Sequence, residues 1–373
     1  MPLKGFAQQL MRAYARNGNK STWLTMFNPQ NDWRYQSVKQ TLTTILDPQK
    51  HQDLVKQAQT NLLNWQKNST TVPPSHVSVS SQDWGTTCLD ATRQYGKPYV
   101  VLNNANASFP GGAFLYDYGA AQEENIWHRS DSALSLAEEH VLFDQETECF
   151  SYDEHLSQII AAQALMTPEE QSRLAQHTGI LNPSARSIYL SNEPRVCFRG
   201  PECLLDQNNP DEISGKNTIH AVPEFSFLFL EKEEIFPFYE LRSAAPDKSS
   251  EIHNWHNKEP AYLKAYRETL RHCIAAQLDT LISQGKKHII LGAWGCGDFH
   301  NDPQIVADIY RDEIYKRAEH FQHIVFSILN TASHHRINYA AFKSAVEGIK
   351  LGSKTTSVTV PSEIEENKTP KMR

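Results

Sequence analysis

The sequence has no apolar run of the about 18 residues that a membrane-crossing helix needs. It has no CxxC pair either, although it carries six cysteines. Cys88, Cys149, Cys197, Cys203, Cys273 and Cys296 are scattered through 373 residues, which predicts reduced thiols in a cytosol-like compartment and not a disulfide framework. A basic excess is missing as well: 36 Lys and Arg against 43 Asp and Glu leave a net charge of -7, which argues against a general nucleic-acid surface. The N-terminal segment MPLKGFAQQLMRAYARNGNK lacks the continuous apolar stretch of a secretory signal, so the expected location is cytoplasmic. Delivery into a host cell by a route without such a signal stays open. Neither a GxGxxG nor a Walker loop is present. What remains is the balance of a soluble globular protein, 39% hydrophobic and 21% charged, long enough for a sizeable core.

Along the chain, apolar residues at helical spacing predict helices over 1–72, among them Leu42, Ile45 and Leu46, then Leu54, Ala58, Leu62 and Leu63. Thr71-Val72-Pro73-Pro74 breaks that pattern and sets the expected boundary of a helical N-terminal extension. Strands are predicted at 76–80 and 97–103, with a helix between them at 86–95. Residues 120–165 read mostly as helix, and an irregular insertion is expected at about 150–220, with strand candidates at 187–190 and 195–198. Further strands are predicted at 221–230, 236–243, 287–292 and 324–329, with helices at 260–284 and 303–320. Residues 351–373 form a polar tail. Strands alternating with helices predict an α/β fold whose mostly parallel sheet is covered on both faces, over residues 73–350. Ligands bind such sheets at the carboxyl ends of the strands.

Two glycine loops follow predicted strands at that end. The first runs from Asn103 through Asn106, Ala107, Ser108, Phe109 and Pro110 to Gly111-Gly112-Ala113, with Gln122-Glu123-Glu124 opening a helix shortly after. Small residues let backbone amides approach a ligand, and Asn103 and Asn106 add side-chain donors and acceptors. Adjacent carboxylates repel, so in a dry site one of Glu123 and Glu124 holds a proton near neutral pH, which suits protonation of a leaving oxygen. An acidic first turn also stabilises a helix by itself, but its proximity to the glycine loop favours a site. The second loop is Gly292-Ala293-Trp294-Gly295-Cys296-Gly297-Asp298-Phe299, between a buried strand and a helix, the context for diphosphate binding by backbone amides. Cys296 has no histidine in a recognised thiol-hydrolase pattern, so a packing role is expected. His253 and His256 have HxxH spacing without a third ligand, so no metal is expected. Trp294 is expected to pack beneath its loop.

The Asn-bearing strand end, the Pro110-Gly111-Gly112-Ala113 loop, the Gln122-Glu123-Glu124 triplet and the Gly292–Phe299 loop, in this order, resemble the bacterial-type poly(ADP-ribose) glycohydrolases, a branch of the macrodomain fold. Weaker likeness covers 187–199, 243–247 and 324–329, so the resemblance spans roughly residues 75–345. It implies a three-layer macrodomain-like sandwich and an ADP-ribosyl glycohydrolase without cofactor or metal. By it, Glu124 is the catalytic acid/base and Glu123 orients the ribose. Gly111, Gly112 and Ala113 surround the distal ribose, Asn103, Asn106 and Gln122 are further ligand-binding residues, the amides of Gly295, Cys296 and Gly297 hold the diphosphate, and Phe299 closes over the ribose or adenine side. This chain departs from the family pattern at Ala113, where the family has a third glycine, at Phe109, where it has Asn, and at Asn106, where it has Ser. Those departures argue against a polymer substrate more than against ADP-ribose binding and suit a specialised enzyme, with removal of ADP-ribose from modified protein and from poly(ADP-ribose) both open.

The expected partner is thus ADP-ribose or an ADP-ribosylated protein, with no nucleic acid or membrane, and the chain is expected to be monomeric. Two other functions stay open at this point: a non-catalytic ADP-ribose reader, favoured by Ala113 and Phe109, and an enzyme acting on a free ADP-ribose derivative.

Overall fold

The structure is a computed structural model and describes residues 5–15, 32–115, 121–161, 189–210, 217–249, 259–331 and 333–352. Helix α1 covers residues 5–15, followed by α2 (Asp32–Ile45) and α3 (Pro48–Asn68). Asp47 starts α3, accepting from the amides of Gln49 and Lys50 ahead of a first-turn proline. Then come β1 (Val77–Ser80), α4 (Trp84–Tyr95), β2 (Val100–Asn104) and α5 (Gln122–Arg129). A hairpin of β3 (Val141–Asp144) and β4 (Cys149–Tyr152) leads to α6 (Glu154–Ile160), β5 (Tyr189–Leu190) and β6 (Arg195–Cys197). A second hairpin pairs β7 (Leu204–Pro210) with β8 (Asn217–Ala221). The rest is β9 (Phe236–Ser243), α7 (Pro260–Ser283), β10 (His288–Leu291), α8 (Pro303–Tyr315), β11 (His323–Ser327) and α9 (Ser333–Val346).

A seven-stranded sheet runs in the order β1-β11-β10-β2-β9-β5, with β6 also on β9. From β1 to β9 all neighbours are parallel, while β5 and β6 lie antiparallel to β9. The sheet is therefore mixed and mostly parallel, as expected. Because side chains alternate along a strand, each strand feeds two cores. Val100, Leu102, Leu241, Ile289, Leu291, Ile324 and Phe326 pack with α7, α8 and α9. Val101, Phe236, Phe238, Ile290 and Val325 face the other way, against α1–α4 and the apolar side of α5. The N-terminal helices thus form part of the layer covering one face, with Leu10, Val38, Leu42 and Ala58 fully buried.

Two expected elements differ. Residues 120–165 are not mostly helical: α5 ends at Arg129, a 3-10 turn covers Ser132–Ala137, and the β3–β4 hairpin follows. The side chain of Ser130 turns back onto the Ile126 carbonyl while its backbone bridges to Cys197, and Asp144 accepts from the amides of Glu146 and Thr147 to close the hairpin turn. The strand expected over 221–230 is also absent: β8 ends at Ala221, Pro223 starts a 3-10 turn, and Phe227 takes a left-handed backbone, φ 54. The insertion around 150–220 is more regular than expected, since it holds β4, α6, β5, β6 and the β7–β8 hairpin. His253, His256, Ser187 and the tail from residue 353 lie outside the described residues. No described helix is long and apolar enough to cross a membrane.

Candidate active site

The first loop leaves β2 and folds back over the start of α5. Its backbone holds the two carboxylates of the triplet. The Asn106 amide donates to Glu123 Oε2 at 2.7 Å and the Gly111 amide to Glu123 Oε1 at 3.1 Å. The Ala113 amide donates to Glu124 Oε1 at 2.7 Å. Asn106 Oδ1 accepts from the amides of Ser108 and Phe109, which fixes the turn that brings these donors round. Gln122 joins the triplet to the sheet: its Oε1 accepts from the Asn104 amide and its Nε2 donates to the Leu102 carbonyl. Gly112, at φ 55, is a requirement of this packing, since a Cβ there would stand 2.3 Å from Glu124 Oε1. Gly111, at φ 79, lies against the Trp127 ring, where a Cβ would come within 2.5 Å.

Glu123 and Glu124 are 3% and 6% exposed. Burial first, then the neighbouring Glu124 carboxylate, pushes the Glu123 carboxyl well above its ordinary range. The pair therefore carries a proton that separate surface carboxylates would have lost, and the proton belongs to the pair as a unit. Beneath the loop lies a fully buried ion pair of Glu240 and Arg242 on β9, with nitrogen–oxygen distances of 3.0 and 3.1 Å. Burial would raise Glu240, but the Arg242 guanidinium outweighs it and holds the carboxyl at about 2.

The second loop leaves β10. Trp294 is fully buried beneath it, as expected, and donates to the Ser243 carbonyl at 2.8 Å. Gly295, at φ 74, is enclosed: a Cβ would stand 2.4 Å from the Ala245 Cβ and 2.7 Å from Asn301 Nδ2. Asn301 braces the loop by donating to the carbonyls of Gly295 and Pro246. The Cys296 amide donates to the Ala293 carbonyl and its thiol lies on the Trp294 carbonyl, while burial raises the thiol above its usual range. Cys296 thus packs inward, and its amide is engaged within the loop. Gly297 faces open space.

Both loops open onto one cleft of about 850 Å³ at the carboxyl ends of β2, β10 and β11. Asn106, Gly112, Ala113, Gln122, Glu123, Glu124, Gly295, Gly297 and Phe299 line it. Three predicted site residues, Asn103, Gly111 and Cys296, are not among those that line it. Asn103 is fully buried and donates to Glu240 Oε1 at 2.7 Å, Gly111 packs on Trp127, and Cys296 is half-buried with its thiol on the Trp294 carbonyl. On β2 it is Asn104, with the parity of Leu102, that reaches the cleft. Sequence reasoning also missed the wall of Asp83, Trp84 and Asn125, and Glu202 of the insertion. Asp83 caps α4 and pairs with Arg129, while Trp84 Nε1 donates to Asn125 Oδ1 at 2.9 Å. The signal available was Asp83 before Trp84-Gly85, a helix cap directly after a strand. Glu202 had none, because a non-local fold brings it in. Among the described residues no cluster of side chains suits a metal ion.

Residues 32–168 match the family model described as "Microbial-type PARG, catalytic domain". That span includes α2, α3 and the whole first loop with its carboxylates. Among solved structures, the chain is similar to the poly(ADP-ribose) glycohydrolase of Thermomonospora curvata, at 18% identity over 84% of this chain and 98% of that one, TM-score 0.47. It is also similar to the poly(ADP-ribose) glycohydrolase of Deinococcus radiodurans in complex with ADP-ribose, at 19% identity over 78% of this chain and 91% of that one, TM-score 0.41. No curated protein matches by sequence.

Proposed function

We propose that this protein is an ADP-ribosyl glycohydrolase, a glycosidic-bond hydrolase that removes ADP-ribose from a modified protein or from poly(ADP-ribose). The observation that carries the proposal is a pair of buried, adjacent carboxylates, Glu123 and Glu124, held by loop amides at the mouth of a cleft whose other side is the Gly295–Gly297 loop. The match of residues 32–168 to a PARG catalytic domain supports the same reading. The cleft volume of about 850 Å³ accommodates a nucleoside diphosphate sugar.

In this reading the Gly295 and Gly297 amides face the diphosphate, Phe299 lies over a ribose or the base, and Gly112 and Ala113 border the distal ribose. Glu124, protonated, delivers its proton to the oxygen that leaves the anomeric carbon as an oxocarbenium-like ribose forms. As a carboxylate it then takes a proton from the water that adds to that carbon, which restores the acid. Glu123, fixed by two backbone amides, accepts a hydrogen bond from a ribose hydroxyl and keeps the pair's proton available to Glu124. Ala113, where a glycine would leave more room in the cleft lining, supports a single terminal ADP-ribose over an internal polymer unit.

The test is release of ADP-ribose. Wild type and Glu124→Ala are incubated with poly(ADP-ribose) and, separately, with proteins ADP-ribosylated on Ser, Arg or acidic residues. Release by wild type alone supports the hydrolase and identifies the linkage. A second reading, a reader that binds ADP-ribose without cleaving it, is favoured by Ala113 and by Phe109, which is 47% exposed. Tight binding with no release by either protein would establish that reading instead.

A further inference from the structure

The cleft contains a carboxylate that the proposed chemistry does not use. Glu202, just before β7, lines the cleft with its side chain only 4% exposed. Its backbone is fixed on both sides by a neighbouring segment. The Gly200 amide donates to the Leu228 carbonyl at 2.7 Å, Phe227 to the Pro201 carbonyl at 2.9 Å, and Cys203 to Ser226 Oγ at 2.9 Å. Arg34 of α2 grips one oxygen of the carboxylate: Nε lies 3.1 Å and Nη2 2.6 Å from Oε1. Among the described residues, none donates to Oε2.

Helix α2 is itself locked to this part of the fold. Arg199, buried without a carboxylate partner among the described residues, donates to the Ser37 carbonyl, Thr41 Oγ1 and Gln40 Oε1, and on its other side to the Phe227 carbonyl. Arg34, Ser37 and Thr41 share a helix face at spacings of three and four. One face of α2 therefore fixes Arg199 and presents Arg34 to the cleft wall. Arg34 is in turn steadied over the Trp33 ring, which stacks on Phe227 at 5.7 Å.

We infer that Glu202 is a ligand-binding residue of the cleft and Arg34 its positioning residue, with Glu202 Oε2 accepting a hydrogen bond from a hydroxyl or amine hydrogen of the bound nucleotide sugar. A carboxylate that shares a cleft with a diphosphate is repelled by the ligand's charge unless a cation offsets it, and Arg34 supplies that cation from outside the cleft. The carboxylate is left free to select a neutral donor. The inference rests on the ADP-ribosyl reading of the cleft, and it gives the N-terminal helices a part in ligand recognition.

Direct binding tests it, using the full chain and ADP-ribose as the probe. In Glu202→Gln, Arg34 retains the carbonyl oxygen and turns the amide NH2 toward the ligand's donor, so the dissociation constant should rise about tenfold. Arg34→Met should weaken binding in the wild-type background and add nothing in the Glu202→Gln background, because it acts through Glu202. A merely structural ion pair would lower the melting temperature of either variant and leave the dissociation constant unchanged. The hypoxanthine analogue of ADP-ribose separates the two donor sources. A loss confined to ADP-ribose assigns the contact to the adenine amine, and an equal loss with both ligands assigns it to a ribose hydroxyl. Wild-type affinity in Glu202→Gln, or additive losses in the double variant, would overturn this inference alone. Failure of the wild type to bind ADP-ribose would overturn the functional reading with it.

Discussion

At the scale of single residues, chemistry and stability compete at Glu123 and Glu124. Two carboxylates 3% and 6% exposed are costly to ionise together, and the loop amides stabilise them only in part. Replacing Glu124 with Gln keeps the acceptor for the Ala113 amide and removes the like charge beside Glu123. The expected outcome is an activity loss of about 10²–10⁴-fold in single-turnover release, together with a higher melting temperature by calorimetry. The pH dependence has a definite sign. Glu123 is raised in the fold by burial and then by Glu124, so its contribution to stability is complete below the ordinary carboxylate range and is lost as pH rises through its raised value. Activity that needs the pair's proton should fall on the same alkaline side, and in a pH series Glu124→Gln should flatten the alkaline loss of stability. The triplet was legible in the sequence because adjacent acids beside glycines form a local pattern. The exchange of Asn103 for Asn104 was not: in a strand buried on both faces, apolar content does not tell which parity meets the cleft.

At the scale of elements, the two loops depend on glycine at particular positions. Gly112→Ala would place a Cβ 2.3 Å from Glu124 Oε1 in a left-handed backbone. It should cost about 1–3 kcal/mol in denaturant unfolding and displace the acid, lowering kcat. Gly295→Ala meets Ala245 and Asn301 at φ 74 and should raise KM for the ADP-ribosyl substrate, whereas Gly297→Ala, facing open space, should leave unfolding free energy nearly unchanged. These loops could be found from sequence because glycine after a buried strand is a local signal. The stretch after α5 could not be read correctly. The residues from 130 to 138 suit a helix by composition, but long-range partners, the Cys197 bridge to Ser130 and the Val196 amide on Asp131, redirect the chain. The turn made by Asp144 was the cue for the hairpin that follows.

At the scale of the whole molecule, the alternation of strand and helix identified the three layers, while the seat of the N-terminal helices was hidden. Their contacts run over long sequence separations, as from Arg199 to Ser37 and from Arg34 to Glu202, so the proline break after α3 said nothing about which face they cover. The end of the sheet opposite the cleft carries a second pH response. Burial holds His288 and His323 down to about 4, with Tyr99 OH 2.7 Å from His323 Nδ1. A histidine lowered in the fold binds its proton first in the unfolded chain, so its stabilising contribution is present above about 6.5 and is lost as pH falls toward 4. Unfolding followed by denaturant should show stability falling over that interval, and His323→Gln should reduce the slope. The central claim is that one nucleotide sugar bridges both loops with its scissile bond at Glu124. The most direct measurement is a crystal structure of Glu124→Gln with ADP-ribose. The account predicts diphosphate oxygens on the Gly295 and Gly297 amides and the anomeric hydroxyl within about 3 Å of the residue 124 side chain. A ligand seated away from that side chain, or bound outside the cleft, would contradict it.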